Sequence, residues 1–261
     1  VLVTLFFTWQ TGGKILLPQN VSNLISQNAY VFVLATGMLL CILTGGNIDL
    51  SVGSVVCFAG AVGAALMESK GVNPWAASIM MLLIGLLIGA WQAFWIAYVH
   101  VPPFITTLSG MLVFRGLSNV VLNGLTVSLT NAGFVKVFGG GAECYIPDFL
   151  GGNGFNITCM LVGVIACVIY VLVQIKNRMN RAKKGYEMEA LSAMVIRTVI
   201  ICAVILVFMF RLAQYKGIPT ALVWVALVVL IYGYITSKTT TGRYFYAVGG
   251  NEKATKLSGI N

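Results

Sequence analysis

The stretch "MLLCILTGGNIDLSVGS", Met38 to Ser54, places a single carboxylate inside a long run of apolar residues. No charged residue lies between Lys14 and Asp49, and the next one along the chain is Glu68. Two glycines and an asparagine stand just before the aspartate. Glycine adopts backbone conformations that other residues avoid, so we expect one helix to end here. The stretch therefore predicts two apolar helices joined by a short polar turn.

The composition of the whole chain is that of a membrane protein. Hydrophobic residues make up 59% of the chain, charged residues make up 9%, and the mean hydropathy is +0.93. Soluble domains carry roughly 25% charged and about 45–50% apolar residues. A soluble globule of 261 residues could not bury this much apolar surface, because much of any globule stays exposed. We expect an all-α fold, a polytopic bundle of transmembrane helices.

Apolar runs long enough to cross a bilayer recur along the chain. A helix needs about 20 apolar residues to span the hydrocarbon. Pro102-Pro103 separates two of these runs, because proline lacks a backbone donor and disfavours helix in its predecessor. About eight spans are predicted, the first of them partial: Val1–Trp9, Gln27–Gly46, Leu50–Met67, Trp75–Val99, Phe104–Leu122, Gly154–Ile175, Ala193–Phe210 and Pro219–Ile235.

The positive charges predict the orientation of these spans. The net charge is +9, but Lys and Arg lie mostly in gaps between apolar runs, whereas nucleic-acid binding requires a basic face. Cytoplasmic loops of membrane proteins hold an excess of Lys and Arg. The basic loop 176–192 and the tail 237–261 are rich in these residues, so both are assigned to the cytoplasm. Because spans alternate, the polar loop 123–153 is predicted to be external, with 68–73 and 211–216.

The chain contains no recognisable catalytic or cofactor-binding motif. His100 is the only histidine, and one histidine cannot build a metal cluster. Neither G-x-S-x-G nor G-x-x-x-x-G-K-[ST] occurs, so serine-hydrolase chemistry and ATP hydrolysis are not expected of this chain. The six cysteines form no CxxC pair and most lie inside apolar runs, so we interpret them as packing residues. The sequence predicts no enzyme, no catalytic residue, no metal site and no cofactor.

The segment around Asp49 has two interpretations. In the first, it is a well-made turn in which Asp49, or in competition Ser51, caps the following helix. In the second, Asn47, Asp49 and Ser51 line a substrate pathway, because irregular backbone at membrane depth is tolerated where it lines a cavity. A carboxylate inside a bilayer costs roughly 2.5–3.5 kcal/mol on insertion scales, so it usually has a partner or water. Both interpretations stay open from the sequence.

Arg115 is a second charge inside an apolar run. It lies near the middle of the predicted fifth span, and Asn119 follows one turn later on the same helix face. The guanidinium either caps carbonyls or extends toward the external surface, or it faces a pore or a subunit interface. The neighbouring asparagine favours the pore or interface. We expect no direct contact between Arg115 and Asp49.

The tail "TTTGRYFYAVGGNEKATKLSGIN", Thr239 to Asn261, holds a second glycine pair. We expect the chain to turn at Gly249-Gly250 and Asn251 to cap a short helix that ends before Gly259. A short helix projecting from a membrane bundle is suited to docking in the groove of a partner.

Together with "GMLLCILTGGNIDLSVGSVV" and "PPFITTLSGMLVFRGLSNVVLNG", this tail resembles the inner-membrane permease subunits of bacterial ABC sugar importers. The resemblance covers essentially the whole chain and is to the ribose/xylose/galactose branch, most of all its xylose or multiple-monosaccharide subgroup. It implies one transmembrane permease domain over 1–261 that moves a monosaccharide across the bacterial inner membrane. Members start earlier and continue further, so it also implies a chain truncated at both ends.

The resemblance implies partners and roles for the tail. The expected partners are two ATP-binding subunits that hydrolyse ATP, a periplasmic sugar-binding protein, a second permease copy and the lipid bilayer. The family's cytoplasmic coupling segment corresponds to 237–261, which we call the coupling segment. Its motif positions, implied to contact the ATPase, are Gly242, Gly249, Gly250, Asn251, Glu252, Leu257 and Gly259.

Two other function classes remain open from the residues alone. An ion-coupled secondary transporter usually buries acidic residues in its spans as relay or ion sites, and here Asp49 alone is placed for that role. Uptake that depends on a proton gradient and not on ATP would favour this class. A membrane scaffold without transport activity is the other class, and co-purification with an ATPase subunit would separate the permease from it.

Overall fold

The computed structural model describes residues 2–139, 143–152, 154–185 and 190–260. Residues 140–142 and 153 of the predicted external loop, 186–189 of the predicted basic loop, and the two terminal residues lie outside the described residues. Within the described residues the regular structure is helical, apart from an isolated antiparallel bridge between Tyr145 and Pro219. The α-helices are α1 (Leu2–Gln10), α2 (Pro18–Leu43), α3 (Val52–Glu68), α4 (Pro74–Ala97), α5 (Pro103–Leu122), α6 (Ala132–Phe138), α7 (Ile157–Lys183), α8 (Leu191–Ala213), α9 (Thr220–Lys238), α10 (Thr240–Gly250) and α11 (Glu252–Leu257).

Six of these helices, α2, α4, α5, α7, α8 and α9, are long and apolar enough to cross a membrane. α3 is a shorter apolar helix of 17 residues, at the low end of the length that spans a bilayer. α1 has 9 residues, too few to span a bilayer. Each predicted apolar run therefore contains a helix, and the all-α polytopic bundle is confirmed.

The helix boundaries differ from the prediction where polar residues extend or add helix. α2 begins at Pro18, well before the predicted start at Gln27, because proline suits the first helical position. α7 continues to Lys183, since Lys and Arg are good helix formers and lie favourably at a helix C-terminus. The coupling segment forms two helices, α10 and α11, where one was predicted.

α6 lies inside the loop 123–153, where no helix was predicted. Two of its side chains pack on aromatic rings from elsewhere in the chain. The ring centroids of Phe134 and Trp75 are 6.4 Å apart, and those of Phe138 and Trp224 are 5.1 Å apart. Asn131 caps the helix by accepting from the Phe134 N–H at 2.9 Å. Packing and capping, not a long apolar run, therefore stabilise this short helix.

By their internal contacts the residues group into two compact units. The first unit comprises Val1–Asn28 and Gly140–Val223, and the second comprises Ala29–Gly139 and Trp224–Asn261. The prediction of one permease domain over 1–261 stays a prediction.

In the first unit α7 packs against α8. Gly163 of α7 faces Met209 so closely that a Cβ at Gly163 would lie 2.9 Å from the Met209 side chain. Small residues let membrane helices approach in this way. A buried core lies at one end of the pair, built from Cys159, Leu212, Ala213 and Ile218.

In the second unit α3, α4 and α5 pack against one another. Gly63 of α3 has no room for a side chain because Met81 of α4 occupies the space. Phe114 of α5 contacts Phe58 of α3 and Trp91 of α4, with ring centroids 5.7 and 6.4 Å apart. This three-helix packing fixes the α3 end of the polar turn that joins α2 to α3.

Candidate functional site

The chain between α2 and α3 is a polar turn, residues 44–51, that interrupts the helical backbone. α2 ends at Leu43 and α3 begins at Val52. The φ angles of Gly45 and Gly46 are 115° and 79°, in the left-handed region that favours glycine. The predicted helix break at the glycine pair is confirmed.

Asp49 organises the polar turn through Ser51. Its Oδ1 accepts from the backbone N–H of Ser51 at 2.8 Å and from the Ser51 hydroxyl at 2.7 Å. Of the two N-cap candidates, Ser51 occupies the cap position of α3, and its side chain makes no hydrogen bond to the helix. Asp49 binds the backbone two residues ahead, as aspartates in turns commonly do, and does not cap α3 directly.

Gln92 of α4 binds the same serine from the other side. Its Nε2 donates to Ser51 Oγ at 2.9 Å, which leaves the serine hydroxyl proton for Asp49. Ser51 is fully buried and Gln92 is 5% exposed. Gly110 of α5 faces the amide so closely that a Cβ there would collide with Nε2. Sequence reasoning missed Gln92, although it is the only Asn or Gln in the predicted span Trp75–Val99.

α5 contacts the polar turn from a third direction. The Thr107 hydroxyl lies 2.8 Å from the Pro103 carbonyl oxygen and 3.3 Å from the Ile48 carbonyl oxygen, so it bonds its own helix and borders the turn. Among the described residues every buried side-chain nitrogen and oxygen has a hydrogen-bond partner. We call Asp49, Ser51, Gln92 and Thr107 the polar cluster.

The five predicted pathway residues fall into two groups. Asn47, Asp49 and Ser51 belong to the polar turn, where Asn47 Nδ2 donates to the Thr44 carbonyl at 3.3 Å. Arg115 and Asn119 lie on the exposed face of α5. The expectation that Arg115 makes no direct contact with Asp49 stays a prediction.

The coupling segment turns between α10 and α11 at Asn251, so the predicted turn at Gly249-Gly250 is wrong, because both glycines belong to α10. The Asn251 side chain accepts from the Ala254 N–H at 3.0 Å, which confirms the predicted cap of the short helix. α11 ends where Gly259 takes a φ of 84°, and the Ile260 N–H bonds back to the Thr255 carbonyl at 3.2 Å. This is the Schellman pattern of helix ends, and it explains the glycine at this position.

α11 presents most of its surface outward. Leu257 is 90% exposed. Glu252 and Lys256 form an exposed ion pair of 2.7 Å, and the hydrogen bond from Lys256 holds the pKa of Glu252 below its usual value. Thr255 is the buried exception, since its hydroxyl lies 2.8 Å from the Ala247 carbonyl oxygen and joins α11 to α10. No local sequence pattern pointed to Thr255.

Gly249 brings α10 into backbone contact with the polar turn. A Cβ at Gly249 would overlap the carbonyl oxygen of Leu43, the last residue of α2. A Cβ at Gly242 would likewise overlap the backbone carbonyl of Thr236 near the end of α9. A Cβ at Gly250, in contrast, would meet nothing within 4 Å. Two of the three predicted tail glycines in α10 therefore permit close approach of backbones.

The chemistry available in these places is hydrogen bonding and helix packing. The Asp49 carboxylate is engaged by Ser51, and Gln92 is a neutral amide. In the part of the chain that the structure describes, no three His, Cys, Asp or Glu side chains gather as metal ligands. Ser51, Gln92 and Thr107 are buried and hydrogen-bonded, so this arrangement joins the polar turn to α4 and α5.

Residues 20–261 match the family described as branched-chain amino acid transport system / permease component. The chain belongs to this permease family and is a multi-pass membrane protein.

Similar curated proteins are sugar permeases. The xylose transport system permease protein of Escherichia coli K12 is 38% identical over 261 residues, which are 100% of this chain and 63% of the relative. The protein of the same description from Haemophilus influenzae is 35% identical over 260 residues, 100% of this chain and 66% of the relative. The ribose import permease protein of Escherichia coli K12 is 30% identical over 242 residues, 93% of this chain and 53% of the relative. The chain thus spans about two thirds or less of these relatives. No solved structure matches the chain significantly.

Proposed function

We propose that this chain is a large part of the pore-forming permease subunit of an ATP-driven importer, which moves a monosaccharide of the xylose or ribose type across the bacterial inner membrane. The observation that carries the proposal is the 38% identity to a xylose permease over the whole chain. Identity to a ribose permease is 30%. Xylose is therefore the first sugar to test.

Contacts within the second unit support the predicted topology. The Glu68 carboxylate accepts from the Thr130 N–H at 2.7 Å, and both residues lie in segments predicted to be external. Gly249 contacts Leu43, and both lie at ends predicted to be cytoplasmic. Loops on one side of a membrane can meet in this way, whereas loops on opposite sides cannot.

The exposed helix α11 is the proposed contact with two separate ATP-binding subunits, on which ATP is hydrolysed. An unburied leucine beside an ion pair offers an apolar anchor with a polar rim, a pattern typical of docking surfaces. Because Thr255 joins α11 to α10, a push on α11 would move α10 as well. The backbone contact of Gly249 would pass that movement to the end of α2 and so to the polar cluster.

The exposed face of α5 is the proposed wall of the pathway or of the contact with a second permease copy. Arg115 and Asn119 lie there, and a charge facing lipid at mid-span is unfavourable by roughly 2.5–3.5 kcal/mol. A neutral sugar needs hydroxyl-binding groups along its path and few charges. Specificity is then expected to reside mainly in a periplasmic sugar-binding protein.

The sharpest test substitutes Gly249. In the full-length permease, reconstituted with its ATP-binding subunits and sugar-binding protein, Gly249→Ala forces a Cβ into the Leu43 carbonyl. Overpacking of this kind costs about 1–3 kcal/mol, so xylose uptake should fall about tenfold while ATP hydrolysis continues. Gly233→Ala is the matched control, because a Cβ at Gly233 would meet nothing within 4 Å.

Three results would contradict the proposal. One is normal uptake by the Gly249→Ala protein. The second is uptake by the unsubstituted protein that survives ATP depletion and follows the proton gradient, which would favour a secondary transporter. Failure of an ATPase subunit to co-purify with the full-length protein would favour a scaffold.

A further inference from the structure

A pocket of about 330 Å³ lies within the first unit. It is formed by the loop that precedes α7 and by the residues just after α8. The side chains that give it polar and aromatic character are Glu143, Tyr145, Asp148, Asn156, Tyr215 and Lys216. Neither the family match nor the polar cluster accounts for this pocket.

Two tyrosines and a lysine form one wall of the pocket. The rings of Tyr145 and Tyr215 are nearly perpendicular, at 84°, with centroids 5.9 Å apart. Lys216 Nζ lies 5.9 Å from the first centroid and 5.7 Å from the second. The ammonium is thus held over aromatic faces and stays close to the pocket.

Hydrogen bonds fix this wall in place. Tyr145 shares a hydrogen bond of 3.0 Å with Ser22, which is fully buried. The backbone beside Tyr145 pairs with the segment after α8, since the Ile146 N–H donates to the Ile218 carbonyl at 2.9 Å. Asn156 Nδ2 donates to the Lys216 carbonyl at 3.3 Å. A pocket with its walls fixed beforehand loses little freedom when a ligand enters.

Asp148 places a permanent negative charge at the same pocket. Its carboxylate accepts from the Thr158 hydroxyl at 2.7 Å and from the Gly152 N–H at 2.9 Å. These donors, the Thr158 hydroxyl foremost, hold the pKa of Asp148 far below its usual value. The carboxylate is therefore ionised at physiological pH. With the ammonium of Lys216 and the second carboxylate, that of Glu143, the pocket offers hydrogen-bond donors and acceptors to a neutral ligand with several hydroxyl groups.

The pocket volume and lining fit a single sugar ring. Ligand pockets commonly start near 300 Å³, so this pocket is at the small end. The C–H face of a sugar ring packs on tyrosine rings, and its hydroxyls can accept from the Lys216 ammonium and donate to the Glu143 carboxylate. Residues 143–152 and 215–216 of the lining belong to segments predicted to be external, and residues 154–156 lie at the adjoining end of the predicted sixth span.

We propose that this pocket is an external subsite for a neutral monosaccharide, occupied after the sugar leaves its binding protein and before it enters the pore. The proposal rests on the proposed function, because the topology and the arriving sugar both come from it. A subsite of this kind needs only weak affinity, since a tightly held sugar would not move on.

The test measures sugar binding by the full-length permease alone, in lipid nanodiscs without partner proteins. Saturation-transfer-difference NMR with D-xylose, D-ribose and D-galactose should show binding of at least one sugar with a millimolar Kd. Lys216→Met and Tyr215→Ala should each weaken that binding by at least about fivefold, the effect of losing one hydrogen bond or one packing face. Lys70→Met is the matched control, an exposed lysine in another predicted external segment, and should bind as the unsubstituted protein does.

Folding of each variant is checked by its melting temperature and by size-exclusion chromatography, and Tyr215→Phe, which keeps the ring, should retain most of the binding. The inference is overturned if no sugar binds, if both pocket variants bind normally, or if inorganic phosphate binds there and the sugars do not.

ATP-driven uptake by the reconstituted importer separates the subsite from the proposed function. Uptake without pocket binding overturns the subsite alone, whereas absence of uptake in the complete system overturns the proposed function.

Discussion

Ser51 and Gln92 join α3 to α4 by a buried hydrogen bond at 2.9 Å. Hydrogen bonds between membrane helices contribute about 0.6 kcal/mol on average, because the partners find substitutes when the bond is broken. Here the substitutes are few, since both side chains are buried and Gly110 of α5 packs directly against the amide. The geometry of this pair therefore predicts a larger effect than the average bond.

Gln92→Leu should lower the free energy of unfolding by about 1–3 kcal/mol, because it leaves a buried serine with one partner fewer. Gln27→Leu, at an exposed position of α2, should change stability by less than about 0.5 kcal/mol. Thermal or denaturant unfolding in detergent measures both. Equal effects of the two substitutions would mean that the polar cluster is not held by this bond.

Among single residues, the sequence predicted those that a short local pattern marks. Asp49 and Ser51 were recognised because a charge and a hydroxyl follow a glycine pair within a few positions. Gln92, Thr107 and Thr255 were missed, since their importance comes from neighbours far away in sequence or from the next helix. One sequence feature could have identified Gln92, since it is the only amide side chain in its apolar span.

α11 is too short to be stable by itself, because isolated helices below about 12 residues are marginal in water. It depends on its cap at Asn251, on the Schellman end at Gly259 and on the Thr255 hydroxyl that reaches α10. The first two contacts are local and the third is tertiary. Removing the third should free α11 from α10 while leaving its own ends intact.

Thr255→Val should therefore speed amide hydrogen exchange in residues 252–258 by about tenfold, the effect of losing roughly one hydrogen bond. Thr241→Val, an isosteric change at an exposed position of α10, is the control and should leave exchange there unchanged. Mass spectrometry of the peptides reports both. Unchanged exchange in the Thr255→Val protein would show that α11 is held by other contacts.

The elements themselves were predicted where length and hydropathy determine them. All eight apolar runs contain helices, because a bilayer-spanning backbone must satisfy its own hydrogen bonds. α6 and the separation of α10 from α9 were not predicted, since they depend on aromatic packing and on close backbone approach at Gly242. Apolar periodicity carries no signal for either.

Over the whole molecule, large apolar side chains are exposed along the spanning helices, as expected of surfaces that face lipid. Arg115 lies on an exposed face too, yet lipid is a poor neighbour for a guanidinium. Two equally exposed helix faces can therefore have different surroundings, lipid at one face and a pore or a subunit contact at the other. Leu86 of α4, 68% exposed, represents the lipid-facing case.

In a cysteine-free full-length protein, Arg115→Cys should react with a charged, membrane-impermeant thiol reagent, whereas Leu86→Cys should react at least about tenfold more slowly, because thiolate forms poorly in apolar surroundings. Rates in reconstituted vesicles provide the measurement. Equal, slow labelling of both positions would mean that Arg115 extends along lipid toward the surface, the alternative that the sequence left open.

The contact of Gly249 with the Leu43 carbonyl has a mechanical consequence. Side chains between two elements can rotate and absorb small displacements, but here backbone rests on backbone and nothing intervenes. A contact of this kind cannot absorb a small displacement. A shift of α10 toward α2 by even a fraction of an ångström therefore moves the start of the polar turn. Gly249 thus contributes a stiff contact between α10 and α2.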